Sequence, residues 1–389
     1  MSTLKPITGA QAAAEAMRQI NPDVVIAYPI TPQTPIVEHF AEFVANGLVD
    51  TETIPVESEH SAMSAAVGAS AAGARAMCAT SSQGLALMWE IVAATPGLRL
   101  PIVMPLVNRA LSAPINIHCD HSDVMGTLTI GWVQIFCENA QEVYEHILLA
   151  LRLAEDERVL LPVMVNQDGF ITSHAVEPVR IYDDAVVKKF VGERKPKRYL
   201  LDVDHPYTVG PLALPDYYFE IKKQQEDAIY AAKSVYSEIG KELSKITNRS
   251  YPYFEEYKTS DAESIIIAIN STAGTVKDVV DEMRDEGKKV GMIKPILFRP
   301  FPYAEMREAL KNASSVGVFD RSIAYGAYAP LYSEIRNALY DLQKKPMIQS
   351  YVYGLGGRDI FKSEIRTAFN ELLEGKIDSN LQRYLGLRG

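Results

Sequence analysis

Charged and hydroxyl-bearing residues follow several of the predicted β-strands, at positions where they could do chemistry. Glu59 begins a predicted helix after the strand Thr53–Val56, and the segment Thr80–Gly84 separates another strand from its helix. Arg109 follows the apolar run Pro101–Val107. Hydroxyls and backbone N–H groups at a strand-to-helix turn can bind an anion or a polar ring, and an arginine suits a carboxylate. Because the loops after parallel strands meet at one edge of the sheet, we expect a ligand site there.

Each of these residues also has a simpler structural interpretation. Thr31 lies between two prolines and could bond its own backbone in a rigid turn. Ser58 could cap the following helix, where Glu59 would be stabilised by the positive helix end. A ligand-binding Glu59 would instead need apolar surroundings that raise its pKa. The residues alone leave both interpretations open, as they do for an Arg109 that is simply solvated.

The segment His118–Asp123 carries the pattern His-x-Asp-His-x-x-Asp within a long irregular stretch, residues 108–126. This pattern is compatible with metal ligation, but also with polar loop contacts or a moving lid. Without a further anchor we favour the loop interpretations and predict no metal site. The sequence also lacks the order of a Ser-His-Asp triad, a nucleophile elbow, a P-loop and a G-x-G-x-x-G motif.

An alternation of strands and helices must position these residues. Over residues 10–165, apolar β-type runs alternate with helical stretches, which is typical of a parallel sheet covered by helices. The predicted helices include one rich in Ala and Ser over 59–73 and a single helix over 84–94. A second α/β unit begins near Ala262, with a turn at 271–275 after its first strand.

The stretch between these units has a different composition. Residues 177–258 are rich in Pro, Tyr and Lys and contain one long polar helix, over 217–245. We interpret this stretch as a linker or a surface excursion. The predicted domains are therefore 1–245, including the excursion at the C-terminal end, and 255–389.

Length, charge and cysteine content restrict the class of protein. The 389 residues suffice for two or three domains with a large core. The net charge is −10, and no basic stripe offsets it, so we expect neither nucleic acid nor a membrane as a partner. No uninterrupted apolar stretch approaches the ~20 residues of a membrane span, and no export signal begins the chain, which favours the cytoplasm. The three dispersed cysteines favour neither a disulfide framework nor an iron–sulfur site.

In combination, the motifs resemble the alpha subunit of the multi-subunit 2-oxoacid:ferredoxin oxidoreductases, above all the pyruvate type. The resemblance extends over nearly the whole chain. Each motif is common by itself, but the ordered set is specific. The segments that carry it are Tyr28-Pro-Ile-Thr-Pro32, Glu57-Ser-Glu-His60, Ser82-Gln-Gly-Leu85, Asn108-Arg-Ala-Leu-Ser-Ala-Pro114, Glu155-Asp-Glu-Arg-Val-Leu-Leu-Pro162, Asp168-Gly-Phe170, Ser173-His174, Arg299-Pro-Phe-Pro302 and Gly354-Leu-Gly-Gly-Arg-Asp359.

This resemblance implies a parallel-sheet thiamine diphosphate domain of the pyrimidine-binding type, followed by a transketolase-C-terminal-like α/β domain. It implies reversible oxidative decarboxylation of pyruvate with coenzyme A to acetyl-CoA and CO2, with electrons passing to ferredoxin. A beta subunit would hold the diphosphate, Mg²⁺ and an iron–sulfur cluster, and gamma- and delta-type subunits would carry further clusters. The sequence contains no Gly-Asp-Gly, the start of a diphosphate and Mg²⁺ motif, so the chain alone should be inactive.

The resemblance also implies roles for single residues. Glu59 matches the glutamate that hydrogen-bonds the aminopyrimidine ring of the cofactor, and it is the expected catalytic residue. Thr31 and Arg109 match the residues that bind the 2-oxoacid, with Arg109 on its carboxylate. The residues expected to bind the cofactor, in addition to Glu59, are Tyr28, Pro29, Ser82 and Gln83.

Two alternatives stay open. The same complex could act on a branched-chain, aromatic or other 2-oxoacid, including oxalate, although Thr31 favours an ordinary 2-oxoacid by resemblance. The chain could instead be a non-catalytic scaffold subunit that contacts no cofactor. A substrate panel on the intact complex distinguishes the first alternative from a pyruvate-specific enzyme. Glu59→Ala distinguishes the second, because turnover should be lost in an enzyme subunit and unchanged in a scaffold subunit.

Overall fold

Two largely parallel β-sheets organise the chain in a computed structural model, which describes residues 2–388. The strands in this range are β1 Ser2–Thr8, β2 Val24–Ile26, β3 Glu52–Thr53, β4 Ala76–Cys78, β5 Val103–Asn108, β6 Val133–Phe136, β7 Val163–Asp168, β8 Val176–Tyr182, β9 Phe254–Tyr257, β10 Ser264–Ile267, β11 Val290–Pro295, β12 Leu297–Arg299, β13 Ser315–Asp320, β14 Met347–Val352 and β15 Gln382–Tyr384.

The helices connect these strands and cover the sheets. In the same range they are α1 Gly9–Ile20, α2 Thr34–Ala45, α3 Glu59–Ala71, α4 Ser82–Leu87, α5 Trp89–Ala94, α6 Ser122–Met125, α7 Ala140–Glu155, α8 Ile171–His174, α9 Asp184–Val191, α10 Pro215–Thr247, α11 Thr272–Asp285, α12 Tyr303–Leu310, α13 Pro330–Leu339 and α14 Lys362–Leu373. A short 3₁₀ turn covers Leu355–Gly357. The predicted α/β class with mostly parallel sheets is thereby confirmed.

The first sheet has the strand order β12-β6-β7-β5-β4-β2-β3. Its strands run parallel except β12, which pairs with β6 in the antiparallel direction. The central strands β5 and β7 are buried at all six positions, as expected for parallel strands covered on both faces. The carboxyl ends of β2, β4 and β5 therefore share one edge, which brings together the loops that the sequence marked for chemistry.

The second sheet has the order β15-β14-β13-β10-β11-β9 and is parallel except for β9. Its central strands β10 and β13 are fully buried between α11 and α14 on one face and α12 and α13 on the other. Strand β12 follows directly after β11 of this sheet, yet pairs with the first sheet. The two sheets are thus joined by neighbouring segments of one chain.

The interpretation of residues 177–258 as a linker or surface excursion is wrong in large part. Strand β8 pairs along its whole length with β1, from Ser2 opposite Tyr182 to Thr8 opposite Val176. Helix α10 packs an apolar seam into the core beside α7. The residues of that seam are Ala228, Ala232, Val235, Ile239 and Leu243. Their spacing of three or four residues is that of a half-buried helix, a signal the sequence contains. The division of domains at 245–255 stays a prediction.

Three smaller expectations differ from the structure. The strand expected over 53–56 is reduced to β3, a two-residue edge strand. The helix expected over 84–94 is interrupted at Met88, where ψ is 6°. Residues 272–275 of the expected turn form the first turn of α11. Within residues 2–388, no helix combines the length and the apolar character that crossing a membrane requires.

Candidate active site

Glu59 is the first residue of α3, and its side chain is buried rather than in solvent. Ser58 caps the helix through its Oγ, which accepts a hydrogen bond of 3.2 Å from the Ser61 N–H. The capping role predicted for Ser58 is therefore present. Glu59 itself is only 8% exposed, and no hydrogen bond among residues 2–388 engages its carboxylate. A buried carboxylate without such partners is available to a ligand.

Gly84 brings the backbone of α4 close to this carboxylate. A Cβ on Gly84 would lie 2.9 Å from Glu59 Oε1 and 2.3 Å from Thr80 Oγ1, so only glycine fits. The Thr80 hydroxyl is buried and has no hydrogen-bond partner within the described range. Burial and the Glu59 carboxylate raise the pKa of the neighbouring Cys78 thiol to about 12. The result is a small cradle that contains two unengaged oxygen-bearing groups.

Ser82 links this cradle to the loop after β5. Its φ is +46°, a conformation that L-residues with a Cβ rarely adopt. Ser82 Oγ lies 2.6 Å from the Ala110 carbonyl and 2.7 Å from Gln83 Oε1, so its single proton can be donated to either acceptor. Such backbone strain is concentrated at functional sites, since the surrounding structure must hold it in place. Ser82 is fully buried, whereas Gln83 keeps part of its surface exposed.

Arg109 is only 6% exposed, so the interpretation as a solvated loop arginine is wrong. Its Nη1 donates to the Thr31 carbonyl over 2.8 Å, and its Nε donates to the Asn116 carbonyl over 3.0 Å. No hydrogen bond among residues 2–388 engages its Nη2. Burial lowers the pKa of Arg109, against the opposing charge of Asp123. Arg109 is thus fixed beside the Thr31 turn with one guanidinium nitrogen still available.

The turn at Thr31 meets Arg109 through its main chain. Thr31 itself is exposed, and the following Pro32 is buried. Tyr28 is 37% exposed and Pro29 is also exposed. No hydrogen bond in the described range joins the Tyr28 side chain to Arg109 or Glu59. The structure therefore brings Thr31 and Arg109 together, and leaves Tyr28 and Pro29 on the rim.

Asp123 joins the loops of the site, a role that the sequence did not indicate. Its Oδ2 accepts hydrogen bonds from the Ser82 N–H over 3.1 Å and from the Arg109 N–H over 3.0 Å. Its Oδ1 accepts from Asn108 Nδ2 over 3.2 Å and from the Val124 N–H over 2.7 Å. Burial raises the pKa of Asp123 to about 6, although the backbone donors lower it.

The remaining polar residues of the His118–Asp123 segment point to separate partners. His118 packs against Phe170, with ring centroids 5.1 Å apart. Asp120 accepts from both the backbone and the hydroxyl of Ser122. His121 Nε2 lies 2.8 Å from Asp168 Oδ1. Among residues 2–388, the four residues of the pattern therefore contact different partners and do not converge on one point.

Asp168, at the end of β7, is the centre of a buried polar cluster that joins the two sheets. In addition to His121, it accepts hydrogen bonds from Asn270 Nδ2 over 2.8 Å, from Ser271 Oγ, and from Arg321 Nη1 over 3.1 Å. Burial alone would raise the pKa of Asp168, yet the charges of His121 and Arg321 hold it well below its ordinary value. The second unit is thereby fixed against the loop that carries Arg109.

Comparison with sequence families identifies both parts of the chain. The family model described as pyruvate flavodoxin/ferredoxin oxidoreductase, thiamine diphosphate-binding, matches residues 15–241. The model described as pyruvate:ferredoxin oxidoreductase core domain II matches residues 262–365.

Curated relatives align over nearly the full chain. The pyruvate synthase subunit PorA of Thermotoga maritima is 60% identical over 382 residues, which cover 98% of this chain and 97% of that protein. The PorA subunit of Methanocaldococcus jannaschii is 46% identical and covers 100% and 99%, respectively. The ketoisovalerate oxidoreductase subunit VorA of Pyrococcus horikoshii is 41% identical and covers 98% and 97%.

A solved structure shares the fold at low identity. A 2-oxoglutarate:ferredoxin oxidoreductase from Magnetococcus marinus, solved with 2-oxoglutarate, coenzyme A and succinyl-CoA bound, superposes with a TM-score of 0.73 over 95% of this chain at 19% identity. This chain spans 65% of the length of that one. The first family model covers more than half of the sequence and the relatives cover nearly all of it, which confirms the predicted resemblance: the chain belongs to the pyruvate flavodoxin/ferredoxin oxidoreductase family.

Proposed function

We propose that this chain is the alpha subunit of a 2-oxoacid:ferredoxin oxidoreductase of the pyruvate synthase type. The complex oxidatively decarboxylates pyruvate with coenzyme A to acetyl-CoA and CO2 and passes the electrons to ferredoxin, in a reversible reaction. The observation that carries this proposal is the buried Glu59 carboxylate, which faces Gly84 and Thr80 without a hydrogen-bond partner in the described range.

The residues of the cradle fit the ring end of thiamine diphosphate. An aminopyrimidine offers ring nitrogens and an amino group, and Glu59 and Thr80 offer unengaged oxygen atoms at the same edge of the first sheet. Gly84, Ser82 and Gln83 would line the ring, with Tyr28 and Pro29 on the rim of the pocket. When bound, this cofactor supplies the nucleophilic carbon and the electron sink that decarboxylation of a 2-oxoacid requires.

Glu59 would act as the proton-exchanging group. A carboxylate with low exposure can share a proton with a ring nitrogen without competition from water. Its carboxylate has no hydrogen-bond partner within residues 2–388, so both oxygens are available for this exchange.

Arg109 and Thr31 would bind the substrate. Arg109 Nη2 is available to a carboxylate, while Nη1 donates to the Thr31 carbonyl and Nε donates to the Asn116 carbonyl. A fixed guanidinium loses little rotamer entropy when a carboxylate binds. The exposed Thr31 would then meet the rest of the 2-oxoacid, and its side chain would contribute to substrate choice.

Partner subunits would complete the enzyme. The sequence has no Gly-Asp-Gly, so we assign the diphosphate and Mg²⁺ to a beta subunit. The chain has three cysteines, Cys78, Cys119 and Cys137, and all are buried and form no disulfide. An all-cysteine iron–sulfur cluster needs four thiolates. Iron–sulfur clusters would therefore belong to the beta subunit and to gamma- and delta-type subunits, which pass electrons to ferredoxin. We expect this complex in the cytoplasm.

The experiment is Glu59→Gln in the co-expressed complex, with Glu57→Gln as the matched control. Glu57 lies two residues away, is exposed, and bonds the Ser61 hydroxyl. We expect Glu59→Gln to lower kcat by about 100-fold or more without loss of subunit assembly, since a positioned acid–base group contributes that much. Glu57→Gln should leave turnover unchanged. Full activity of Glu59→Gln would support the scaffold interpretation instead.

The choice of 2-oxoacid needs a separate measurement. The identities of 60% to a pyruvate synthase subunit and 41% to a ketoisovalerate oxidoreductase subunit support pyruvate as the substrate. A panel of pyruvate, 2-oxobutanoate, 3-methyl-2-oxobutanoate and phenylpyruvate on the intact complex tests it. We expect the highest kcat/KM for pyruvate, and a higher value for a branched or aromatic substrate would change the assignment.

A further inference from the structure

Asp123 connects two loops of the site that are far apart in the sequence. The same oxygen, Oδ2, accepts hydrogen bonds from the backbone N–H groups of Ser82 and Arg109. The sequence separations are 41 and 14 residues, respectively. These contacts go beyond the local hydrogen bond that Oδ1 accepts from the Val124 N–H. A single buried carboxylate thus sets the distance between the two loops.

The energetic weight of these contacts follows from burial. Asp123 is 3% exposed, and a carboxylate in such surroundings must be hydrogen-bonded to be tolerated. Hydrogen bonds to a charged acceptor are about twice as strong as neutral ones. Asn108, the last residue of β5, donates to the opposite oxygen over 3.2 Å and thereby holds the carboxylate plane. The position of the Arg109 main chain therefore depends on Asp123.

We propose that Asp123 is a positioning residue that fixes Arg109 relative to the Ser82 turn and thereby sets the affinity of the site for the 2-oxoacid carboxylate. The inference rests on the proposed role of Arg109 in substrate binding. Three anchors hold Arg109: Asp123 at its backbone N–H, and the carbonyls of Asn116 and Thr31 at its side chain. Asp123 is the anchor that also reaches the cofactor side, through Ser82.

Asp320 provides a matched control within the chain. It is buried to the same degree, ends strand β13, and accepts hydrogen bonds from the backbone N–H groups of Leu331 and Tyr332. Burial also raises its pKa, to about 7. Asp320 thus resembles Asp123 in chemistry, but the N–H groups that donate to it lie in the first turn of α13 and not in the proposed site.

The test is a double-mutant cycle in the co-expressed complex, with Asp123→Asn, Arg109→Ala and both together, and with Asp320→Asn as the control. An asparagine at position 123 presents either an amide N–H or a weaker acceptor to the backbone N–H groups of Ser82 and Arg109. Arg109 is then held less firmly, so we expect the KM for pyruvate to rise about tenfold. The kcat should change by less than about threefold. In the Arg109→Ala background, Asp123→Asn should have almost no further effect, because it acts through Arg109. Asp320→Asn should leave the KM unchanged.

The cycle distinguishes the failure of this inference from the failure of the proposed function. If Arg109→Ala raises the KM and Asp123→Asn multiplies it by the same factor in both backgrounds, Asp123 has only a structural role and the inference is overturned. If Arg109→Ala leaves all kinetic constants unchanged, the substrate role of Arg109 fails, and the inference fails with it. If Asp123→Asn does not assemble, Asn108→Ala removes one donor and keeps the carboxylate. We then expect a smaller rise of the KM, which should be absent in the Arg109→Ala background. A rise by the same factor in both backgrounds would overturn the proposal.

Discussion

The carboxyl edges of the two sheets have the same anatomy, but their polar groups have different partners. At the first edge, Glu59 and the Thr80 hydroxyl have no hydrogen-bond partner within residues 2–388. At the second edge, Asn270, Ser271 and Arg321 all donate to Asp168 of the first unit. The donors of the second edge are therefore used to join the two units, while Glu59 and Thr80 at the first edge keep unengaged oxygen atoms.

This difference shows what makes a sheet edge a binding site. Parallel strands bring polar loop residues to their carboxyl ends in both units, as the general rule for α/β sheets states. The second edge lies against the first unit, and Asn270, Ser271 and Arg321 each pair with Asp168 there. Within residues 2–388, Asn270 Oδ1 and Arg321 Nε are nevertheless buried without a hydrogen-bond partner. At the first edge, Asp123 holds the loops through the backbone of Ser82 and Arg109, while Glu59 and the Thr80 hydroxyl have no hydrogen-bond partner within residues 2–388.

The largest expected effect comes from removing the partner of the second edge. Asp168→Ala leaves the charges of Arg321 and the polar ring of His121 buried without their acceptor. We expect the free energy of unfolding to fall by about 3–5 kcal/mol, the usual cost of breaking a buried charged pair. Thermal unfolding of the assembled complex measures it. As a control, Asp227→Ala removes an exposed aspartate paired with Lys223 and should cost less than about 1 kcal/mol. Equal costs would mean that the two edges do not differ in this way.

Substitutions at the first edge should lower the activity of the complex more than its stability. Gly84→Ala would put a methyl group 2.3 Å from Thr80 Oγ1 and 2.9 Å from Glu59 Oε1, and so displace both oxygens. We expect turnover of the complex to fall about 100-fold, the effect of removing a positioned acid–base group. Gly68→Ala, on the same helix as Glu59, meets nothing within 4 Å and should retain full turnover. Unchanged turnover of Gly84→Ala would show that the cradle does not require this close approach.

The pH dependence of stability gives a further test at the second edge. The pKa of Asp320 is raised from 3.8 to about 7 by burial, so the folded state holds a proton that the unfolded state loses at lower pH. Its contribution to stability is complete below about pH 4 and is lost as the pH rises towards about 7. We expect Asp320→Asn to cost about 2 kcal/mol less at pH ~7 than at pH ~5.5. Thermal unfolding of the wild type and of Asp320→Asn across this range measures the difference. A cost that does not change with pH would contradict the raised pKa of Asp320.

Much of the fold could be predicted from the sequence because parallel α/β units have a strong local signal. Apolar runs such as Pro101–Val107 and the alternation with helices predicted the sheets within a few residues. The contribution of 177–258 to the core was missed because α10 is mostly polar, and its seam was outweighed by composition. Strand β12 could not be assigned to the first sheet, since pairing between distant segments depends on tertiary contacts.

For the candidate site, the sequence predicted single residues but not the contacts that connect them. Glu59 and Arg109 stood out by residue type and by position after strands, and both proved to be buried. The role of Asp123 was missed because its partners lie in other loops, at separations that no local pattern encodes. Gly84 was part of a noted motif, but the close approach of Glu59 that requires a glycine is visible only in three dimensions.

The smallest expected effect concerns the contact between the edges beside Arg109. Asn116 donates from Nδ2 to the Gly356 carbonyl over 3.0 Å, and its Oδ1 accepts from the His118 N–H over 2.7 Å. Its own carbonyl holds Arg109 Nε, and every residue at position 116 retains that carbonyl. Asn116→Ala should therefore loosen the loop without removing the anchor, and raise the KM for pyruvate about threefold, in line with one or two neutral hydrogen bonds at a partly exposed position. Asn380→Ala, which removes an exposed amide near the C-terminus, should leave the KM unchanged. A tenfold rise would mean that the second unit positions Arg109 as strongly as Asp123 does, and the contrast between a covering edge and a binding edge would then disappear.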